Sequence, residues 1–185
     1  MKRLAIFISL HLFLFLLVIA YQAQSSEWTI DRYKTLSYAR VSGEVTHGDN
    51  LNFWIRTQDN CEKVYNTFTV YSYEKPGDTK QLLDKNIPIK INGEEITAVV
   101  QDIAPFLMGY RVHLSLGVYP LKTYIYHLQA FYDEFKQYEI EIVDGLNFKA
   151  AKYFDIRTNS WKLDKLVPSV LEANKLCREF SHKKL

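Results

Sequence analysis

Ile87-Pro88-Ile89-Lys90-Ile91-Asn92-Gly93-Glu94-Glu95-Ile96-Thr97-Ala98-Val99-Val100 is the stretch whose reading decides the fold. Alternating isoleucines run into Asn-Gly, and a second alternating segment leaves it. Asn-Gly accepts the positive φ angles that a type I′ turn demands, so the stretch reads as a tight β-hairpin. Pro88 has no N–H to give to a ladder, and its strand is therefore expected at a sheet edge.

Period-two patterns spread outward from this hairpin. Upstream, Leu51, Phe53 and Ile55 fall on one face of a strand preceded by the turn residues His47-Gly48-Asp49-Asn50. Val64 to Glu74 alternates again. Phe68, Val70 and Ser72 lie on one side and Tyr65, Thr67, Thr69, Tyr71 and Tyr73 on the other, before a turn at Lys75-Pro76-Gly77-Asp78. Downstream, Phe106 to Leu116 reads as a strand with Tyr110, Val112, Leu114 and Leu116 inward, Gly109 marking a bulge and Gly117-Val118-Tyr119-Pro120 a turn. Tyr138 to Val143 is a further strand, which Phe148 to Ile156 is expected to pair with.

Two segments depart from period two. Leu121, Ile125, Leu128, Tyr132 and Phe135 form a helical stripe with Pro120 at its first turn, where proline is tolerated, although Thr123-Tyr124-Ile125-Tyr126 is rich in β-formers. Near the end, Val170, Ala173, Cys177 and Phe180 share a helical face that starts at Pro168. The expected fold is therefore mainly β, an antiparallel sandwich or an α+β arrangement, with a C-terminal helix and one further helix near 121–136.

The first 25 residues belong to a different physics. Met1-Lys2-Arg3 is cationic, Leu4 to Ala20 is apolar except for Ser9 and His11, and Tyr21 to Ser26 is polar and small. That order is the order of a secretory signal peptide, with cleavage after Ala20 to Ser25. The 17-residue apolar run also reaches the minimum for a membrane anchor, roughly 17–25 residues, and this is the rival reading. Either way, residues 26–185 are expected as a single exported β-rich domain, because the positive charges precede the run. The absence of an N-x-[ST] acceptor tilts the location toward a periplasm.

The chain carries 23 basic and 21 acidic side chains, and the loss of Lys2 and Arg3 with the signal makes the exported part neutral. Neutrality argues against nucleic acid, which calls for a basic stripe, and against electrostatic attraction to anionic lipid. Cys61 and Cys177, an even pair in an oxidising compartment, are expected to form a disulfide.

Residues that could carry chemistry are scattered. His47 with Asp49 could form an acid–base pair, but a turn built by the same residues is the simpler reading. His113 and His127 are the remaining exported histidines outside the terminal tail, and Asp133-Glu134 and Glu94-Glu95 are carboxylates paired in sequence only. No metal-ligand spacing, phosphate loop or nucleophile elbow occurs, so no cofactor or metal is expected. The compositional oddity is aromatic: 13 Tyr, 11 Phe and 3 Trp. Tyr65, Thr67, Thr69, Tyr71 and Tyr73 form a candidate binding face, since tyrosine is large, stiff and amphipathic, and Trp54 would suit sugar stacking. The expected function is a non-enzymatic exported domain binding a protein or an envelope component. Two readings compete with it: a cofactor-free periplasmic hydrolase whose site is assembled from distant residues, and a membrane-anchored structural subunit.

Overall fold

The structure, a computed structural model, describes residues 27–46, 48–73 and 79–182. The expected leader, His47, the turn at Lys75 to Asp78 and the terminal Lys183-Lys184 lie outside the described residues. Strands β1 (Thr29–Tyr33), β2 (Leu36–Ser42), β3 (Asn50–Arg56), β4 (Lys63–Ser72), β5 (Asn86–Ile91), β6 (Glu94–Phe106) and β7 (Gly109–Pro120) lead to helix α1 (Leu121–Phe135). Strands β8 (Gln137–Ile142) and β9 (Thr158–Lys162) then lead to helix α2 (Leu166–His182). The expected class holds: the protein is mainly antiparallel β, with a C-terminal helix and one further helix.

Asn92 and Gly93 take φ of 47° and 90°, the pair of left-handed residues that closes a two-residue hairpin between Ile91 and Glu94. Asn92 also donates through Nδ2 to the Gln137 carbonyl at 2.9 Å, and its Oδ1 accepts the Glu139 N–H at 2.8 Å. The turn residue thus fixes the register of β8 as well as that of its own hairpin. All nine strands form one sheet in the order β1-β2-β3-β4-β7-β6-β5-β8-β9.

Pro88 therefore lies within an interior strand, not at an edge, because β8 pairs the free side of β5. The ladder with β8 stops at Ile89 and Ile142, and beyond it the Pro88 carbonyl accepts the Val143 N–H at 3.1 Å. The missing proline N–H coincides with the end of that ladder, where little is lost.

Three further expectations are corrected. Gly117 to Pro120 is not a turn but the last stretch of β7, which runs on beside β4. The register between β4 and β7 shifts by one residue at Leu116, and Gly117 absorbs the bulge with φ of 135°. Gly109 marks no bulge. It opens β7 where a Cβ would lie 2.3 Å from the Ser72 carbonyl oxygen, so the close passage of β4 requires glycine. Phe148 to Ile156 does not pair with β8. It forms a loop with a 3-10 turn at Ala150–Lys152, and β8 pairs with β9 instead.

The apolar face of the sheet faces inward around Phe53, Phe68, Ile89, Leu114, Ile140 and Trp161, all fully buried. The sheet curls until β9 meets the loop that leaves β2, where Glu44 N–H bonds to the Ser160 carbonyl at 2.9 Å. Helix α2 covers the inner face of β2, and the approach is close because the facing residues are small: Ser37 Oγ donates to the Ala173 carbonyl at 2.6 Å. Val170, Ala173 and Cys177 are buried on this face, as the helical stripe implies. Cys177 is bonded to Cys61, which follows a 3-10 turn at Thr57–Asp59, and both are buried.

Candidate functional site

Strand β4 runs without a bulge of its own, so Tyr65, Thr67, Thr69 and Tyr71 stay on one face, opposite Val64, Phe68 and Val70. Pairing registers extend that face sideways. Asn52, Thr67 and Ser115 form one row across β3, β4 and β7, and Asn50, Thr69, His113 and Asp102 the next. Tyr73 lies just past the end of β4, half exposed, with its N–H on the Asp155 carboxylate at 3.3 Å.

The threonines of this face are not open to a partner. Thr67 and Thr69 are buried, Thr67 by Trp54, whose Nε1 donates to its Oγ1 at 2.9 Å. Thr69 Oγ1 accepts the Asn50 N–H at 2.9 Å. Tyr38 and Trp54 touch, with centroids 5.0 Å apart, and the Arg40 guanidinium lies over the pair, 4.6 Å and 5.6 Å from their centroids, while its Nε donates to Asn52 Oδ1 at 3.0 Å. Arg56 covers Tyr65 at 4.1 Å, and the Tyr65 hydroxyl donates to Asp59 at 2.8 Å. The hydrogen bond to Asp59, more than burial, raises the Tyr65 pKa. Strands β2 to β4 thus present a mat of large side chains locked to one another over small polar ones.

At the other end of the face the packing opens. The Tyr71 ring lies 4.8 Å from Phe106, and Arg111 sits 5.8 Å from the same phenylalanine. Phe106 leads into the two-residue turn of the β6–β7 hairpin, where Leu107 has φ of 51° and is 81% exposed and Met108 is 87% exposed. Tyr71 in ring contact with Phe106, the turn residues Leu107 and Met108 that follow, and Tyr73, whose backbone passes Gly109, make an aromatic and aliphatic end to the face. The sequence reading misses Leu107 and Met108 because it runs a single strand from Phe106 to Leu116, whereas Phe106 ends β6 and these two residues form the turn before β7 opens at Gly109.

Among the described residues, the acid–base candidates make no hydrogen bond to one another. His113 is half-buried on the outer face of β7, opposite Asp102, and its pKa is lowered chiefly by burial and then by Arg111. His127 is exposed on α1, and no hydrogen bond or ring contact joins the two histidines. Asp133 accepts Gln129 Nε2 and pairs with Lys136 on the helix surface, while Glu95 pairs with Lys90 on the exposed hairpin. Among the described residues no group of three or more His, Cys, Asp or Glu is arranged to hold a metal ion.

Asp49 has turned inward. It is 2% exposed and accepts the Tyr71 N–H at 2.9 Å and Asn159 Nδ2 at 2.9 Å, so one carboxylate ties the β2–β3 loop to β4 and β9. Burial pushes its pKa up to about 6, against the lowering effect of the two hydrogen bonds. The folded state then holds a proton that the unfolded chain has released between about pH 4 and pH 6. This contribution to stability is complete below the unfolded value and is lost as pH rises through the folded one. The loss is up to about 3 kcal/mol. Urea titrations from pH 4 to pH 7 should therefore show the wild type losing that much relative to Asp49→Asn. Any constant offset of the variant is irrelevant, and parallel curves for the two proteins would contradict the assignment.

No family model matches the chain, and no curated protein or solved structure is significantly similar to it.

Proposed function

We propose that the chain is an exported, non-enzymatic domain that binds another protein through the surface formed by Tyr71, Tyr73 and the tip of the β6–β7 hairpin. The observation that carries this reading is the exposure of Leu107 and Met108 beside Phe106 and two tyrosines. A two-residue turn needs no apolar side chains, and two of them held in water at a hairpin tip are better accounted for by a contact than by folding. Tyrosine, phenylalanine, methionine and a neighbouring arginine, here Arg111, are the residue types enriched where protein partners meet. The disulfide is compatible with export, since such bonds persist in oxidising compartments. The neutral charge expected once the leader is lost, and the absence among the described residues of a hydrogen bond from His113 or His127 to a carboxylate, favour binding over hydrolysis.

The test is site-specific photocrosslinking in the exporting cell. A photoreactive residue at Met108 is expected to give discrete protein adducts, and the same residue at Leu146, which is 99% exposed on another loop, is not. Leu107→Ser with Tyr73→Ser should reduce the Met108 adducts about tenfold or more while leaving the unfolding midpoint unchanged, as expected when exposed anchors are removed. Equal adducts at both positions would remove the hairpin surface from consideration. Flotation of the wild type, but not the variant, with lipid vesicles would make the surface a membrane contact instead.

A further inference from the structure

The first turns of α1 and the middle of α2 do not close on each other. Between them lies a half-open cleft of about 620 Å³. That size is in the range of roughly 300–1,000 Å³ typical of small-ligand sites. Pro120, Leu121 and Ile125 form one apolar wall and Leu171 the other, and Leu171 and Tyr126 remain 47% and 73% exposed at its mouth.

We infer that this cleft binds a small amphipathic anion, a single hydrocarbon chain ending in a carboxylate. The charge at its mouth selects the head group. Lys122 stands on α1 and Arg178 on α2, with Glu62 beside them, so the rim carries one net positive charge. Among the described residues Lys122 has no ion-pair partner.

Arg178 is held at one point. Its Nε donates to Asn174 Oδ1 at 3.1 Å, and Asn174 Nδ2 donates in turn to the Cys61 carbonyl at 2.6 Å. The guanidinium is thereby anchored to the chain at the disulfide, with its other N–H donors available to a carboxylate. The start of α1 has no side-chain cap and no acidic residue in its first turn, and although the Leu121 N–H is taken by the Glu62 carbonyl at 2.8 Å, the helix end adds potential of the same sign. One net positive charge suits a monoanion better than a dianion. The apolar walls supply the site for the hydrocarbon, and the size of the cleft suits a single chain rather than a helix, which would need a continuous groove.

Titration of the disulfide-bonded protein with dodecanoate, dodecanol and dodecyltrimethylammonium, each below its micelle concentration, tests the inference. Dodecanoate is expected to bind saturably at one site. Decanoate, two methylenes shorter, should bind about fifteenfold more weakly, since each buried methylene contributes roughly fourfold. Arg178→Gln and Lys122→Gln should each weaken dodecanoate up to about fivefold and leave dodecanol unchanged. Leu171→Gln should weaken both. All three side chains are exposed, and an unchanged unfolding midpoint checks the fold. Amide shifts on binding should fall at 121–126 and 171–178. The inference is overturned if no saturable binding is found, if the cationic amphiphile binds as tightly as dodecanoate, or if the shifts centre on Leu107 and Met108.

Discussion

Replacing Cys61 and Cys177 together by alanine is expected to lower stability by about 4–5 kcal/mol, the chain-entropy value for a loop of this length. The bond joins residues 116 apart in sequence, so the unfolded chain loses much of its freedom when the bond is in place. Its position concentrates the effect. Cys177 lies on the buried face of α2, and Cys61 follows the 3-10 turn that leaves β3, so the bond fastens the last helix to the sheet it covers. Small domains unfold with about 5–15 kcal/mol, so the loss would be a large share of the total. Urea unfolding of the oxidised protein and the double variant measures it directly. Hydrogen exchange should place the first opening in Leu166 to His182. A cost under about 1 kcal/mol would mean that contacts such as Ser37 Oγ to Ala173 hold α2 without the bond.

That pairing was legible because the chain has only two cysteines and one of them falls on the apolar stripe of a helix. The Asn92-Gly93 hairpin was legible for a similar reason: one local geometry accepts that dipeptide at that place. Other elements were hidden by what covers them. In β2 the buried residues are Ser37, Ala39 and Val41 while the large Tyr38 and Arg40 point outward, so the small side chains face the core and the hydrophobic alternation is blurred. Small inward residues are what the close approach of α2 demands, and only the helix explains them. The position of Pro88 failed for a topological reason. A proline rule says that one side of a strand lacks a donor, but not whether a neighbour's ladder has already ended there.

The candidate site divides along the same line. Parity placed Tyr65, Thr67, Thr69 and Tyr71 on one face correctly. It could not say that Trp54 and Asn50 would engage the threonine hydroxyls, because those contacts depend on cross-strand register. Parity also carried a signal that went unused. Asp49 shares the inward phase of Leu51, Phe53 and Ile55, and Asn66 that of Val64 and Phe68. A polar residue in phase with a core stripe marks a buried hydrogen-bonded junction sooner than a solvated turn. On that criterion Asp49 belongs to the architecture, whatever His47 does.

Trp161→Ala should therefore show how much of the stability rests on closing the sheet at that junction. Trp161 is fully buried on β9, its ring meets Phe68 edge-on at 6.4 Å, and its Nε1 donates to the Asp49 carbonyl at 3.5 Å. Truncation removes the largest fully buried side chain among the described residues and leaves a cavity where β9, β4 and the β2–β3 loop converge, at an expected cost of about 3–5 kcal/mol. Trp54→Ala, on the half-buried outer face, should cost clearly less, because water can replace the lost ring. The comparison in urea separates two accounts of the curl. If both tryptophans cost the same, the outer mat contributes as much as the core and β9 is a marginal edge. If Trp161 costs several times more, the contact of β9 with the loop after β2 is what holds the curled sheet around its core. Asp49 should then lose its raised pKa in the Trp161→Ala protein, because the cavity admits the water that burial had excluded.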